Sequence, residues 1–430
     1  MCQNSSCVFW HRSVLCFATE NQWRTDIIPN DRKRLLVAAY ITLALSIIGI
    51  TLLGYQSLLS GGTGLVLKSG EPLGGDFIAF YTGGRLLANV SVPDALYNFS
   101  HQLTFQSELL ALPKEELPFL PFVYPPIVAL FFLPISGLSF VTGYLIWSAL
   151  SLFFFLVGVE LTLRSLRAPL PFSKTLLYLG LGAFTPFTLD NIPGGQLASF
   201  GVLIVGAGLF FIRHERLFLA GITLALLYYK TPLYLLFLTV LAMTLRKRFL
   251  GGLLFGGMII LLIEILLVGF HGLHHYWNFV LTYLQGETPT LGYTLPSSLG
   301  VGVFRLLQIY SEYAVSVVIG LQIAWAMVAI AVFRKKDNSL ESLFSLSLIA
   351  STALSFQVNN YDLTLLIIPL ILLFSMSAST TGSDRVGNSL MITVILGHIL
   401  LFFKECYTLP MLTALAFTWM MLRLCRCCRA

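Results

Sequence analysis

Long apolar runs recur along this chain, and Lys and Arg gather in clusters between them. The clusters are Arg12 to Arg34, Arg164/Arg167/Lys174, Arg213/Arg216, Arg246/Lys247/Arg248, Arg334/Lys335/Lys336, Arg385 and Arg423/Arg426/Arg429. A helix needs about 20 predominantly apolar residues to cross a bilayer, and spanning proteins concentrate Lys and Arg in their cytoplasmic loops. With 57% of the 430 residues hydrophobic and only 11% charged, there is too little polar surface to cover a soluble fold. A membrane barrel would show alternating strands of about ten residues instead. The pattern predicts an all-α polytopic membrane protein whose basic clusters are cytoplasmic.

The remaining cations, Lys68, Arg85, Lys114, Lys230, Arg305 and Lys404, then fall on the other face. A face that has shed most of its positive charge but keeps a few cations near Asp76 fits an anionic ligand. The net charge of +6 is topological and gives no reason to invoke nucleic acid. Cys2, Cys7, Cys16, Cys425, Cys427 and Cys428 are all predicted cytoplasmic and only Cys406 lies near the far face, so no disulfide framework forms there. The tail reads as a basic juxtamembrane segment.

Residues 1–34 carry charges and Trp10 and Trp23 but no apolar core, and read as a cytoplasmic leader. Leu35–Gly54 is a first span. The polar stretch from Tyr55 to Leu120 is the first external loop. Within it Ser100–Leu112 is amphipathic, with Leu103, Phe105, Leu109 and Leu110 on its apolar side, and predicts a surface helix stopped by Pro113. The apolar block 121–163 must cross an odd number of times to deliver Arg164 to the inside. It is read as a re-entrant Tyr124–Gly137 segment followed by one crossing, Val141–Leu163. Further spans follow at Thr175–Leu189, Leu197–Ile212, Leu217–Tyr229, Leu233–Leu245, Leu250–Phe270, Ala314–Phe333, Leu340–Phe356, Leu363–Met376, Leu390–Phe403 and Met411–Leu422. That makes about 12 crossings with both ends inside. The organisation is a leader (1–34), a catalytic transmembrane core (35–307) and C-terminal helices with a basic tail (308–430).

Asp76 stands in Gly74-Gly75-Asp76-Phe77 at the start of an apolar helix. Partial desolvation there would raise its pKa and suit it to general-base work; the plainer role is a helix N-cap. Arg85 is either a phosphate ligand or an interfacial anchor. Lys230, in Tyr228-Tyr229-Lys230-Thr231-Pro232 between two short spans, is expensive unless it meets water, headgroups or a ligand phosphate. Adjacent His274 and His275 point different ways on a helix, so a shared metal is not expected, and an aromatic-belt setting accounts for Tyr276 and Trp277 beside them. Glu264, in mid-span, is neutral or bonded to another helix.

An ordered set of short motifs carries a resemblance. It runs Gly75-Asp76-Phe77, Tyr81, Gly84-Arg85-Leu86-Leu87, Phe122-Val123-Tyr124-Pro125-Pro126, Ala129-Leu130, Leu133-Pro134, Trp147, Gly195-Gln196, Ala220-Gly221, Lys230, Pro232-Leu233 and Arg305-Leu306-Leu307, with a weaker tail at Tyr361-Asp362-Leu363. In this order the set resembles the polyprenyl-phosphate-mannose-dependent mannosyltransferases, a family of GT-C glycosyltransferases that includes the mycobacterial enzymes acting on phosphatidylinositol mannosides. Two stretches depart from the family pattern: Pro296-Ser297-Ser298-Leu299, and Asn359-Asn360-Tyr361-Asp362 where the mycobacterial branch has a Trp-His-His-like stretch. The resemblance implies a GT-C fold with Asp76 as the catalytic aspartate of the first extracytoplasmic loop.

Together these readings predict an inverting glycosyltransferase. Its donor is a polyprenyl-phosphate-linked sugar, mannose or another pentose or hexose, and its acceptor a lipid or glycan. Asp76 is the base. Lys230, Arg85 and Arg305 bind the donor phosphate, and Phe77, Tyr81, Tyr124, Gln196, His274, His275, Tyr361 and Asp362 bind substrate. No cofactor or metal is called for, because side-chain cations can meet one leaving phosphate. The setting is a bacterial inner membrane, among membrane lipids, with the site facing the periplasm or exterior. A transporter or lipid-carrier flippase would line a path through the membrane with polar groups. A ligase with a lipid-diphosphate donor would carry more cations and a large late loop.

Overall fold

The computed structural model describes residues 64–67, 70–88, 95–167, 191–284, 314–334, 339–355 and 358–378. The leader, the expected spans Leu35–Gly54, Thr175–Leu189, Leu390–Phe403 and Met411–Leu422, the tail cysteines, Pro296–Leu299 and Arg305 lie outside them. Eleven α-helices are described: α1 Phe77–Ala88, α2 Phe99–Leu110, α3 Pro126–Ser136, α4 Phe140–Arg164, α5 Ala198–Arg213, α6 Leu217–Ala225, α7 Thr231–Thr244, α8 Lys247–Leu284, α9 Ala314–Phe333, α10 Leu340–Leu354 and α11 Ile367–Ala378. Short 3₁₀ turns occupy Ala95–Tyr97, Leu226–Lys230 and Asn360–Leu366.

Four described stretches are long and apolar enough to cross a bilayer: Phe140–Arg164, Leu217–Thr244, Lys247–Leu281 and Ser316–Phe333. Their outward faces are apolar, with Leu254, Met258, Leu262, Leu266 and Phe270 of α8 exposed. The protein is a polytopic α-helical membrane protein.

Leu217–Thr244 is not one straight rod. Its helix is broken at Lys230 (φ −138°, ψ 59°). A straight helix of that length would separate its ends by about 42 Å. Yet Gly252 packs backbone to backbone on Phe218, and Gly256 meets Ala225. The few residues between Thr244 and Phe249 reach at most about 18 Å, so α7 must run back beside α6, and α6 and α8 are parallel. The chain from Leu217 to Lys230 is about 23 Å long, short of the roughly 30 Å hydrocarbon layer. Lys230 therefore tops a short helical hairpin, as the two short predicted spans require.

The ends of the bundle differ chemically. At one end Arg213 bonds Glu341 and the Ser165 carbonyl, Arg167 lies 3.6 Å from Glu341, and Arg334 donates to the Met243 carbonyl. Three of the basic clusters meet there. At the other end lie the first turns of α1 and α5 and the Lys230 bend. Small residues allow close helix contact, with Gly158 of α4 and Gly206 of α5 meeting backbone to backbone.

α3 is 11 residues long, about 16 Å, and cannot cross. It runs antiparallel to α4, with Phe132 against Trp147 and Ile135 against Gly143. The chain leading into it, around residues 118–125, is neither helix nor strand, and its backbone needs partners. Two buried glutamines of α2 supply them. Phe122 N–H donates to Gln102 Oε1 at 2.7 Å, and Gln106 Nε2 donates to the Leu120 carbonyl at 2.7 Å. This changes the expected role of the amphipathic helix. Its buried residues are Gln102, Gln106 and Leu110, because the polar backbone of an irregular segment, not an apolar surface, is what α2 must satisfy.

Candidate active site

Two glycine turns build the site. Gly74 and Gly75 have φ of 78° and 51°, and Gly195 has φ of 60°, values that glycine adopts without cost. A β-carbon on Gly75 would lie 2.9 Å from the Gly194 Cα, and one on Gly195 would collide with the Phe77 Cβ. The turns therefore touch through bare backbone. Trp147 Nε1 locks the second turn by donating to the Gly195 carbonyl at 2.8 Å. The contact brings the side chains that follow each turn together, and Gln196 Nε2 donates to Asp76 Oδ2 at 2.6 Å.

Asp76 does not cap its helix. The first amides of α1 bond backbone carbonyls instead: Phe77 to Gly74, Ile78 to Gly75 and Ala79 to Asp76. Burial pushes its carboxyl above the ordinary aspartate value of 3.8, and the Gln196 hydrogen bond and the charge of Lys230 pull it part of the way back.

A cavity of about 270 Å³ opens beside it. Asp76, Tyr124, Tyr228, Lys230, Trp277, Asn359 and Tyr361 are among its lining. Lys230 Nζ donates to Asp362 Oδ2 at 2.6 Å and lies 4.8 Å from the Tyr361 ring centroid. Both partners of this pair are buried. Asp362 Oδ2 also accepts the Asn359 N–H at 2.8 Å, which fixes the carboxylate in the turn before α11.

The structure thus brings Asp76, Gln196, Lys230, Tyr361, Asp362 and Tyr124 to one cavity region. Phe77 and Tyr81 are buried behind it, against Phe140. Arg85 is exposed at the end of α1 and is not part of the lining. His274 and His275 lie on α8 beyond the break at Gly269 (φ 68°, ψ 176°). His274 pairs with Asn278, and His275 with His271. Their neighbours Tyr276 and Trp277 face the cavity instead. Tyr228 and Asn359 also line it. Their signal in the sequence was adjacency to Lys230 and Tyr361.

The geometry sets a desolvated carboxylate and a buried ammonium facing one aromatic-walled cavity in a helical membrane protein. The sequence model of glycosyltransferase family 87 matches residues 122–369, more than half of the chain, and the protein belongs to that family. The matched stretch carries Tyr124, Gln196, Lys230, Tyr361 and Asp362, while Asp76 and Arg85 precede it. No curated protein and no solved structure matches the chain.

Proposed function

We propose that the protein moves a single sugar from a polyprenyl-phosphate donor to a hydroxyl of a lipid or glycan acceptor, with inversion, on the extracytoplasmic face of a bacterial inner membrane. The observation that carries this reading is the shared cavity: Asp76 and Lys230 line it together. The acceptor oxygen attacks the anomeric carbon as the bond to the phosphate oxygen breaks. Asp76 takes the hydroxyl proton, and a carboxylate held above its ordinary pKa is a better base for that proton. Gln196 holds one carboxylate oxygen and so orients the other. The leaving phosphate gains a negative charge, which the Lys230 ammonium offsets where water is scarce.

An ammonium has three donors, and Asp362 uses one, so Lys230 can hold Asp362 and a phosphate oxygen together. Lys230 is the one cation among the described lining residues, which favours a single phosphate over a diphosphate. Mannose, another hexose and a pentose are all compatible with this chemistry. Arg305, outside the described residues, is proposed as a further ligand of that phosphate. A transporter would spread its polar groups along a path, whereas these gather at one end of the bundle.

The test is transfer from a polyprenyl-phosphate mannose by the purified protein, with an undecaprenyl-diphosphate sugar as control. Transfer from the monophosphate donor that disappears in Asp76→Asn supports the reading. Transfer from the diphosphate donor alone overturns it.

A further inference from the structure

Glu264 lies in the middle of α8, within the candidate span Lys247–Leu281, and is fully buried. Its Oε1 accepts the Ile127 N–H at 3.4 Å. The Tyr228 hydroxyl interacts with the same carboxyl, while buried Oε2 makes no hydrogen bond of ordinary length. Stability does not account for such a group. A carboxyl inside a span is costly, and a half-satisfied one costs more than an apolar residue of the same size.

What Glu264 joins is informative. Ile127 is in the first turn of α3, where the N-cap, Pro125, has no side chain able to accept a hydrogen bond. Glu264 supplies that acceptor from another helix, next to the positive end of the α3 dipole. Tyr124, three residues earlier, is a cavity wall. Tyr228 sits two residues before Lys230 in the same 3₁₀ turn and is itself a wall. One carboxyl on α8 thereby ties together the segment that presents Tyr124 and the turn that presents Lys230. A second bridge closes the ring: Tyr97 donates to the Tyr124 carbonyl at 3.0 Å and packs on Tyr276 of α8, with ring centroids 5.2 Å apart.

We infer that Glu264 is a positioning residue for the donor phosphate site: acting through Tyr228, it holds the Leu226–Lys230 turn so that the Lys230 ammonium faces the cavity. The inference rests on Lys230 as the phosphate ligand. A turn free to shift by about 1 Å would present the ammonium at the wrong place, which is enough to cost one to two orders of magnitude in a site built on orientation. Gln at position 264 keeps an acceptor for Ile127 and a polar partner for Tyr228, so the charge itself is not required.

The experiment uses the full-length protein in nanodiscs and a short-chain polyprenyl phosphate as the probe. Glu264→Leu weakens its binding about tenfold or more, Tyr228→Phe weakens it in the same direction, and the double variant is no weaker than the worse single one, since both act on one link. Glu264→Gln stays within about threefold of the unaltered protein. Melting temperature is followed in parallel. Should Glu264→Leu fail to fold, Tyr228→Phe and its combination with Glu264→Gln carry the test, because each removes only part of the link. Unchanged affinity in folded Glu264→Leu or in Tyr228→Phe, with only the melting temperature lowered, overturns the inference and leaves the donor reading intact. Failure of the unaltered protein to bind polyprenyl phosphate overturns the donor reading, and the inference with it.

Discussion

Lys230 and Asp362, 132 positions apart in the chain, meet through Nζ and Oδ2 at 2.6 Å, and both side chains are buried. The pair joins the bend between α6 and α7 to the turn before α11. Either charge alone would be a buried ion without a partner. Its geometry also keeps Lys230 at the cavity, where a stability role and a chemical role must be separated.

Removing one member of a buried pair costs about 3–5 kcal/mol, whereas replacing both by apolar residues can be neutral. Lys230→Met and Asp362→Leu should each lower the melting temperature sharply, and the double variant should recover much of it. Transfer should stay lost in the double variant, because the leaving phosphate still lacks the Lys230 ammonium. Recovery of both stability and turnover would leave the pair a purely structural device.

Asp76→Asn keeps the shape of the side chain but cannot take the acceptor proton. Turnover should fall by at least about 100-fold with polyprenyl phosphate affinity little changed. Single-turnover kinetics and equilibrium binding on the same preparation check this. Normal turnover would reduce Asp76 to a turn residue.

Gln196→Leu should move the acid limb of the pH–rate profile. The Gln196 hydrogen bond favours the charged carboxylate and so lowers the Asp76 pKa against the raising effect of burial. Without it the pKa rises further, less carboxylate is present at a given acidic pH, and the limb shifts to higher pH. A limb that stays in place would mean that another group sets it.

Gly195→Ala should damage the site from behind. Alanine is strained at φ 60°, and its Cβ would meet the Phe77 Cβ and lie 2.9 Å from the Gly74 carbonyl oxygen. A loss of about 1–3 kcal/mol in stability with a larger fractional loss of activity is expected, since the turn also places Gln196. Thermal melts and transfer assays on the same protein distinguish the two.

Cysteines placed at the exposed Ser100 and Glu215, in a background cleared of native cysteines, should label from opposite sides of the membrane. Ser100 belongs to the helix that supports the cavity, and Glu215 lies between Arg213 and Arg216 at the basic end. Equal labelling of both from outside contradicts the topology.

Much of the architecture was legible in the residues themselves. α9 spans Ala314–Phe333 as the apolar run alone dictates, and α4 matches the predicted crossing closely, because the bilayer sets the length and hydropathy of a span locally. Asp76 and Lys230 stood out as charges in places where charge is costly. The amphipathic spacing of α2 found the helix but not its task. Its glutamines serve an irregular leg 14 and 20 residues later, a relation that periodicity does not record. The Asp76–Gln196 bond, the Lys230–Asp362 pair and the Glu264 link join positions 120, 132 and 137 residues apart. Local sequence specified the helices and the expensive charges, since propensity, hydropathy and dipole effects act over a turn or two. Which charges meet, and therefore which are paired and which face the cavity, was decided only by packing the helices, because hydrogen bonds reach about 3 Å in space and take no account of separation along the chain.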